Sequence, residues 1–92
     1  MQEINALKKV LATPGLNDLV FNGALHAQAD FGDGLQQIES PFESDAELSQ
    51  AMIAIALQAG ARLDIARPIS DFSIYGCRFH AVLAQGVSRL PL

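Results

Sequence analysis

The stretch Ser44–Gly60, which reads SDAELSQAMIAIALQAG, decides the fold class of this 92-residue chain. It opens with the capping box S-x-x-E, in which the Ser hydroxyl accepts from a helix amide and the Glu reaches back to the cap amide. Apolar residues then recur on one helical face, namely Leu48, Met52, Ile55 and Ala59. Gly60 ends the segment with the left-handed conformation that terminates many helices. The pattern predicts an amphipathic helix in the middle of the chain.

This predicted helix carries a broad apolar stripe. Ile53 and Leu57 widen the face that begins at Leu48. A stripe of this width is typical of a helix that buries more than one surface. We therefore expect the helix to lie against a sheet and also to touch a second element, with Met52 in the core rather than in a ligand site.

Segments with the character of strands precede the central helix. Leu19–Phe21 is rich in β-prone residues and is closed by Asn22-Gly23, a pair typical of tight hairpin turns. Leu25–Phe31 alternates imperfectly and leads through Gly32-Asp33-Gly34 to a further strand at Leu35–Ile38. These segments predict an antiparallel meander with two tight turns.

The remaining segments complete the pattern. Gln2–Ala12 has helical spacing, and a Pro and a Gly follow it. After the central helix, Ile69–Tyr75 and Arg78–Ala84 have the alternation of strands and are joined by a turn at Tyr75-Gly76-Cys77. Helix, strands, helix and strands in this order predict an α+β domain with a largely antiparallel sheet and helices packed on it.

Alternation along the last predicted strand assigns its two faces. Phe79, Ala81 and Leu83 share one face, and Arg78, His80 and Val82 share the other. Cys77 and His80 are three residues apart, so they point to opposite faces and cannot form a nucleophile–base pair. His26 and His80 lie in no spacing typical of a metal site, so we predict neither a catalytic residue nor a metal ligand.

Size and motifs exclude several classes of function. A chain of 92 residues and 9.8 kDa fits one domain. No glycine begins the Walker A pattern G-x-x-x-x-G-K-[ST], so this chain alone is not expected to hydrolyse a nucleotide. The longest uncharged apolar stretch, Leu48–Ala61, is shorter than the about 20 residues of a membrane span, and no secretory signal is visible. The single Cys77 excludes an internal disulfide and a Cys-rich zinc site.

Charge is segregated along the chain. The formal net charge is −4. Residues 11–60 carry seven acidic side chains and no basic one, whereas residues 61–92 carry four arginines against two acids. An acidic domain is a poor candidate for nucleic-acid binding, which depends on neutralising phosphates. The arginine-bearing third of the chain can still face a single anionic group.

Three stretches together resemble one protein family. They read LVFNG at Leu19–Gly23, AGARLDIARPISD at Ala59–Asp71 and GCRFHAVL at Gly76–Leu83. In this order and spacing they resemble the N-terminal domain of the type II/type IV secretion ATPases. The likeness is to the CpaF/TadA branch, which powers assembly of Flp-type, tight-adherence pili. The resemblance covers residues 17–86, nearly the whole chain.

The chain also departs from the pattern of this family. It differs after the first turn of the meander (Gln28–Gly32), before the last strand (Ser73–Gly76) and at Ala84-Gln85, where the family has two prolines. The C-terminal RecA-like domain of the family, with its Walker motifs, is absent from residues 1–92. We therefore expect residues 1–92 to be a single N-terminal domain of a longer ATPase, cut near the interdomain linker.

The resemblance implies a PAS-like sheet and a role as the regulatory and oligomerisation domain of a hexameric ATPase. It implies that Arg78 contacts the terminal phosphate of ATP and that Arg67, held extended by Pro68, is a second candidate for such a contact. ATP and Mg²⁺ would belong to the full-length parent, not to this fragment. The implied partners are the RecA-like domain, neighbouring subunits and proteins of the inner-membrane secretion or pilus platform, and no nucleic acid. The implied location is cytoplasmic, at the inner face of the bacterial membrane.

Simpler readings of the same residues stay open. Arg78 can form a cross-strand salt bridge with Asp71, and Arg67 can be a surface or interface residue. We expect Arg62 and Asp64 to be a local ion pair. The chain can also be a free-standing PAS-like module for protein interaction or ligand sensing, because a broad helix stripe suits a partner surface equally well.

Overall fold

Two helices and five strands follow one another in residues 2–83, the part of the chain that the computed structural model describes. In chain order they are α1 (Gln2–Leu11), β1 (Asp18–Asn22), β2 (Ala27–Asp30), β3 (Leu35–Ile38), α2 (Asp45–Gln58), β4 (Ile69–Ile74) and β5 (Cys77–Val82). The predicted α+β class is confirmed. The last strand begins one residue earlier than predicted, because Cys77 pairs with Ile74 as part of the ladder. The strand ends at Val82 rather than at the predicted Ala84, which lies outside the described residues.

The five strands form one sheet with the order β3-β2-β1-β5-β4. Neighbours pair antiparallel except β1 and β5, which run parallel, so the sheet is largely antiparallel as predicted. β1 to β3 form the predicted meander, and β4 and β5 form a hairpin. The predicted turn at Asn22-Gly23 is wrong, because Asn22 is the last residue of β1 and its amide donates to the carbonyl of His26 at the end of a longer connection. The connection through α2 allows the hairpin to return beside β1 in the parallel direction, which a tight turn cannot do.

The core lies between the two helices and one face of the sheet. Alternate residues of each central strand point into it, among them Leu19 and Phe21 of β1 and Phe79 and Ala81 of β5, each at most 1% exposed. The partners of these residues from the helices include Leu7, Leu48, Met52 and Ile55. Because both helices contribute to the same cluster, they cover the same face of the sheet, and no helix of residues 2–83 lies on its other face.

The ends of α2 follow the signals in the sequence. The Ser44 hydroxyl accepts a hydrogen bond from the Glu47 amide at 3.1 Å. The Glu47 carboxylate reaches back to the amide of Glu43 at 2.7 Å, one residue before the predicted cap amide. At the other end Gly60 has a φ of 78°, and Ala61 donates to the carbonyl of Ala56 at 2.8 Å. This pair of features is a Schellman motif, in which a left-handed residue satisfies the last helix carbonyls.

The predicted width of the α2 stripe is wrong at two positions. Ile53 is 36% exposed and Leu57 is 76% exposed. At 3.6 residues per turn, Leu57 lies about 180° around the helix from Leu48, on the side away from the sheet. Small residues widen the buried face instead, among them Ser49, Ala51 and Ala56. The predicted contact with a second element is confirmed, because α2 packs against α1.

Phe79 tests the packing of the core. Its ring is 1% exposed and stacks on Phe72 with 5.2 Å between ring centroids. We expect Phe79→Ala to lower the free energy of unfolding by about 3–5 kcal/mol, because the substitution removes a buried ring and leaves a cavity. Urea denaturation followed by circular dichroism measures this loss. Phe79→Leu keeps most of the volume and should lose less, and equal losses for the two variants would contradict the stacked arrangement.

Candidate functional site on the open face of the sheet

The face of the sheet opposite the helices carries most of the charged side chains of the strands. We call it the open face. It presents residues from all five strands, namely Asp18, Val20, Asn22, Gln28, Asp30, Leu35, Gln37, Ile69, Asp71, Ser73, Arg78, His80 and Val82. No helix among residues 2–83 covers this face. It is therefore the surface on which a ligand or a partner can reach the sheet.

A groove of about 620 Å³ runs across the open face. Its lining includes the acids Asp18 and Asp71, the guanidinium of Arg78 and the imidazole of His80, and Val20 and Leu35 add apolar surface. Arg78 and His80 lie on β5, and each has an acid on a neighbouring strand. The groove therefore alternates in charge from strand to strand and is not a uniformly basic pocket.

Arg78, the first site residue expected from the sequence, lies in this groove. The parallel register places it beside Asp18, and its Nε lies 3.1 Å from Oδ1 of that carboxylate. The Arg78 side chain is 80% exposed and that of Asp18 is 29% exposed. The guanidinium is thus held from one side by a less exposed carboxylate, while an anion can approach it from the solvent.

The alternative partner expected for Arg78 is wrong. In the β4–β5 hairpin Ser73 stands opposite Arg78, and Asp71 stands opposite His80. The carboxylate of Asp71 contacts Nδ1 of His80. The sequence carried a signal for this pair, because counting outward from a two-residue turn at Tyr75-Gly76 pairs Asp71 with His80. The partner of Arg78 comes instead from β1, which is 60 residues away along the chain.

A second carboxylate lies beside the Asp18–Arg78 pair. Asp30 of β2 is the direct cross-strand neighbour of Asp18. Its Oδ1 accepts hydrogen bonds from the amides of Gly32 at 2.7 Å and Gly34 at 3.1 Å, so it is tied to the β2–β3 turn. Across the sheet the row therefore reads acid, acid, base, with Asp18 in the middle.

Arg67, the second site residue expected from the sequence, lies at the other end of the hairpin. It is exposed and closes a tight turn, in which its amide donates to the carbonyl and to the side chain of Asp64. Pro68, the next residue, accepts from the amide of Leu83, whereas Arg78 stands opposite Ser73. Pro68 and Ser73 are five residues apart along the chain, so Arg67 and Arg78 are separated by about 16 Å in the direction of the strands. The structure does not bring the two arginines together in one site.

The expected ion pair of Arg62 and Asp64 is confirmed, with 3.3 Å between Nε and Oδ2. Hydrogen bonding from the backbone amide of Arg67 lowers the pKa of Asp64, and the nearby Arg62 guanidinium lowers it further. This carboxylate is fully engaged in its own turn. It stabilises the turn that precedes β4 and is not part of a ligand site.

Cys77 and His80 lie on opposite sides of β5, as predicted. Cys77 is buried, and its thiol lies 3.5 Å from the carbonyl of Arg78. Burial raises the pKa of this thiol to about 11, with a further contribution from the negative charge of Asp18. The thiol is thus protonated and unreactive at neutral pH. Within residues 2–83 no three potential metal ligands come together.

Comparisons with known proteins add no relative. No protein-family model, no curated protein and no solved structure matches the chain. In the described part of the chain, neither helix has the length and apolar character needed to cross a membrane.

The raised pKa of Cys77 predicts a stability change at alkaline pH. The unfolded thiol ionises near 9.0, whereas the folded thiol stays protonated to about 11. The stability from this group is present below pH 9 and is lost as the pH rises through 11. We expect the wild-type protein to lose free energy of unfolding relative to Cys77→Ala between about pH 8 and about pH 10.5. Urea denaturation of both proteins with a reductant present measures it.

The Cys77→Ala protein is the matched control because it differs from the wild type only in lacking the thiol. A difference between the two proteins that stays constant over this pH range would contradict the burial of the thiol.

Proposed function

We propose that this chain is the N-terminal domain of a hexameric secretion or pilus-assembly ATPase, and that Arg78 contacts ATP held by a RecA-like domain. One observation carries the proposal. Arg78, the arginine that the resemblance assigns to this role, is 80% exposed in a groove on the open face of the sheet. A second domain can dock on this face without displacing any described helix.

The chemistry of Arg78 suits a contact with phosphate. A guanidinium is charged at every physiological pH and offers a planar set of donors to phosphate oxygens. Asp18 is bound to Nε, on the stem side of the guanidinium. The donor set of the open face thus fits an oxyanion, although the loop that would bind the nucleotide is not in these 92 residues. When bound, ATP with Mg²⁺ supplies the negative charge to which Arg78 responds.

The acids of the groove limit how tightly an anion can bind to this domain alone. Asp18 and Asp71 lie in the same groove as Arg78. A phosphate must share the guanidinium with Asp18 and is repelled by both acids, so strong binding needs further cations from another domain. This favours a role as a sensor of a nucleotide held elsewhere over a role as the nucleotide-binding site itself.

The proposal also includes partners and a location. The open face would meet the RecA-like domain of the same chain or of a neighbouring subunit. Arg67, about 16 Å from the level of Arg78, would meet a different group at the same interface. The assembled ATPase would act in the cytoplasm, against platform proteins at the inner face of the bacterial membrane.

The ATPase rate of the full reading frame tests the role of Arg78. We expect Arg78→Ala to lower kcat at least about tenfold with hexamers intact, since an arginine that stabilises phosphoryl-transfer charge contributes about 10³–10⁵ in other nucleotide hydrolases. Arg78→Lys should recover part of the rate because it restores a charge without the planar fork.

Arg62→Ala is the matched control, because Arg62 is exposed and paired only within its own turn. An unchanged rate for Arg78→Ala in intact hexamers would overturn the role of this residue. A reading frame that encodes no P-loop would overturn the ATPase assignment.

A free-standing interaction or sensing module is the second candidate. Apolar side chains on the open face and at its rim favour it, since Leu35 is 52%, Ile69 is 55% and Tyr75 is 43% exposed. Exposed apolar groups beside a polar groove are typical of a docking surface. The reading frame discriminates the two candidates, because only the ATPase requires a nucleotide-binding domain in the same protein.

A further inference from the structure

The row of charges formed by Asp30, Asp18 and Arg78 joins three neighbouring strands. Asp30 and Asp18 are direct cross-strand partners on the open face, and Arg78 is the neighbour of Asp18 on its other side. Like charges directly opposite each other destabilise an antiparallel pair, and opposite charges stabilise neighbouring strands. Arg78 therefore offsets the repulsion between the two carboxylates.

Each of the two carboxylates is held in place by other groups. Asp30 is tied by its Oδ1 to the amides of Gly32 and Gly34. Asp18 is 29% exposed and points toward Arg78. If Arg78 turns toward another anion, Asp18 loses its counter-charge while Asp30 stays in place. The cost then falls on the pairing of β1 with β2.

The strands on that side of the sheet are the ones best able to respond. β2 and β3 have four residues each, and β3 is an edge strand, as β4 is on the other side of the sheet. Leu35, Gln36 and Gln37 of β3 are exposed, so little packing holds this edge. On the other side, the β4–β5 hairpin has six-residue strands and the stacked rings of Phe72 and Phe79. Local opening is expected where few buried contacts oppose it.

We propose that Asp18 is a positioning residue that couples anion binding at Arg78 to the pairing of β1 with β2. An anion with two or more phosphoryl oxygens draws Arg78 away from Asp18, and the exposed repulsion between Asp18 and Asp30 loosens β2 and β3. By linkage, a looser β1–β2 pair strengthens anion binding by the same factor. This inference deepens the proposed function, on which it rests, by naming the route from the phosphate to the sheet.

Amide hydrogen exchange on the 92-residue chain tests the electrostatic part without any ligand. We expect Arg78→Ala to speed exchange of the β2 and β3 amides about two- to fivefold relative to those of β4. In the Asp30→Asn background the same substitution should have no such effect, because the repulsion is gone. The carboxamide introduced by Asp30→Asn keeps an oxygen that can accept from Gly32 and Gly34, so the turn is preserved.

Two results of this cycle would overturn the proposal. One is an equal increase over the whole sheet, which indicates a general loss of stability. The other is an increase that persists with Asp30→Asn. Arg62→Ala, which breaks an ion pair outside the row, should leave the β2 amides unchanged.

Inorganic pyrophosphate tests the anion part. We expect it to speed exchange of the β2 amides in the wild-type chain beyond the effect of sodium chloride at equal ionic strength. It should have no such effect in Arg78→Ala or in Asp30→Asn. Pyrophosphate that acts no differently from sodium chloride would overturn the coupling, even if the variants behave as expected.

The exchange experiments and the ATPase measurement of Arg78→Ala can fail separately. Asp18→Asn in the full-length enzyme should lower KM for ATP, because the anion is no longer repelled by a carboxylate. The factor by which kcat changes should differ from the factor by which KM changes. If Asp18→Asn lowers the ATPase rate only as much as it lowers the stability of the domain, Asp18 is a structural residue and not a positioning residue. If Arg78→Ala lowers the ATPase rate but the exchange cycle fails, the proposed function stands and the coupling does not.

Discussion

The parallel pairing of β1 with β5 is the interaction on which the rest of the structure depends. Without it the chain would consist of a meander and a separate hairpin, each with an unsatisfied edge. With it the two join in one sheet whose central strands supply the largest buried rings, Phe21 and Phe79. A parallel pair needs a long connection. Here β2, β3, α2 and β4 lie between β1 and β5, and α2 carries the chain from β3 at one edge to β4 at the other. The helix therefore covers the face of the sheet that it helps to join.

One-sided burial follows from this topology. Both described helices lie on one face, so the opposite face has no helix of residues 2–83 over it. The strands accommodate this by alternation, with apolar residues toward the helices and mostly polar ones away from them. An apolar open face would expose hydrophobic surface to water, so polar and charged side chains are favoured there. The groove around Arg78 is thus a consequence of the fold as well as a candidate site.

The same parallel pairing sets the electrostatics of the open face. It brings Asp18 beside Arg78, and the meander brings Asp30 beside Asp18. Surface ion pairs contribute little to stability individually, commonly about 0–1 kcal/mol. Their arrangement in a row matters more, because a change at one end alters the balance at the other. Under the coupling proposed above, a charge pair of modest energy links the presence of an anion to the pairing of a weakly packed edge.

Local features of this protein were determined by the sequence alone. The capping box at Ser44 and the left-handed Gly60 bound α2, and alternation in β5 separates Phe79 from Arg78. These signals act over a few residues, through hydrogen bonds and side-chain direction that neighbours along the chain determine. The α+β class could be predicted for this reason, and so could the exposure of Arg78.

Only the tertiary structure decided which distant residues meet. Asp18 and Arg78 are paired by the parallel register of β1 and β5, and no local turn encodes that register. Leu57 shares the hydrophobicity of the core but lies outside it, because the sheet and α1 cover only one side of α2. Contacts across the sheet depend on the packing of all its elements at once. The sequence determined which side chains share a face of each strand, and packing decided which residues of other strands they meet.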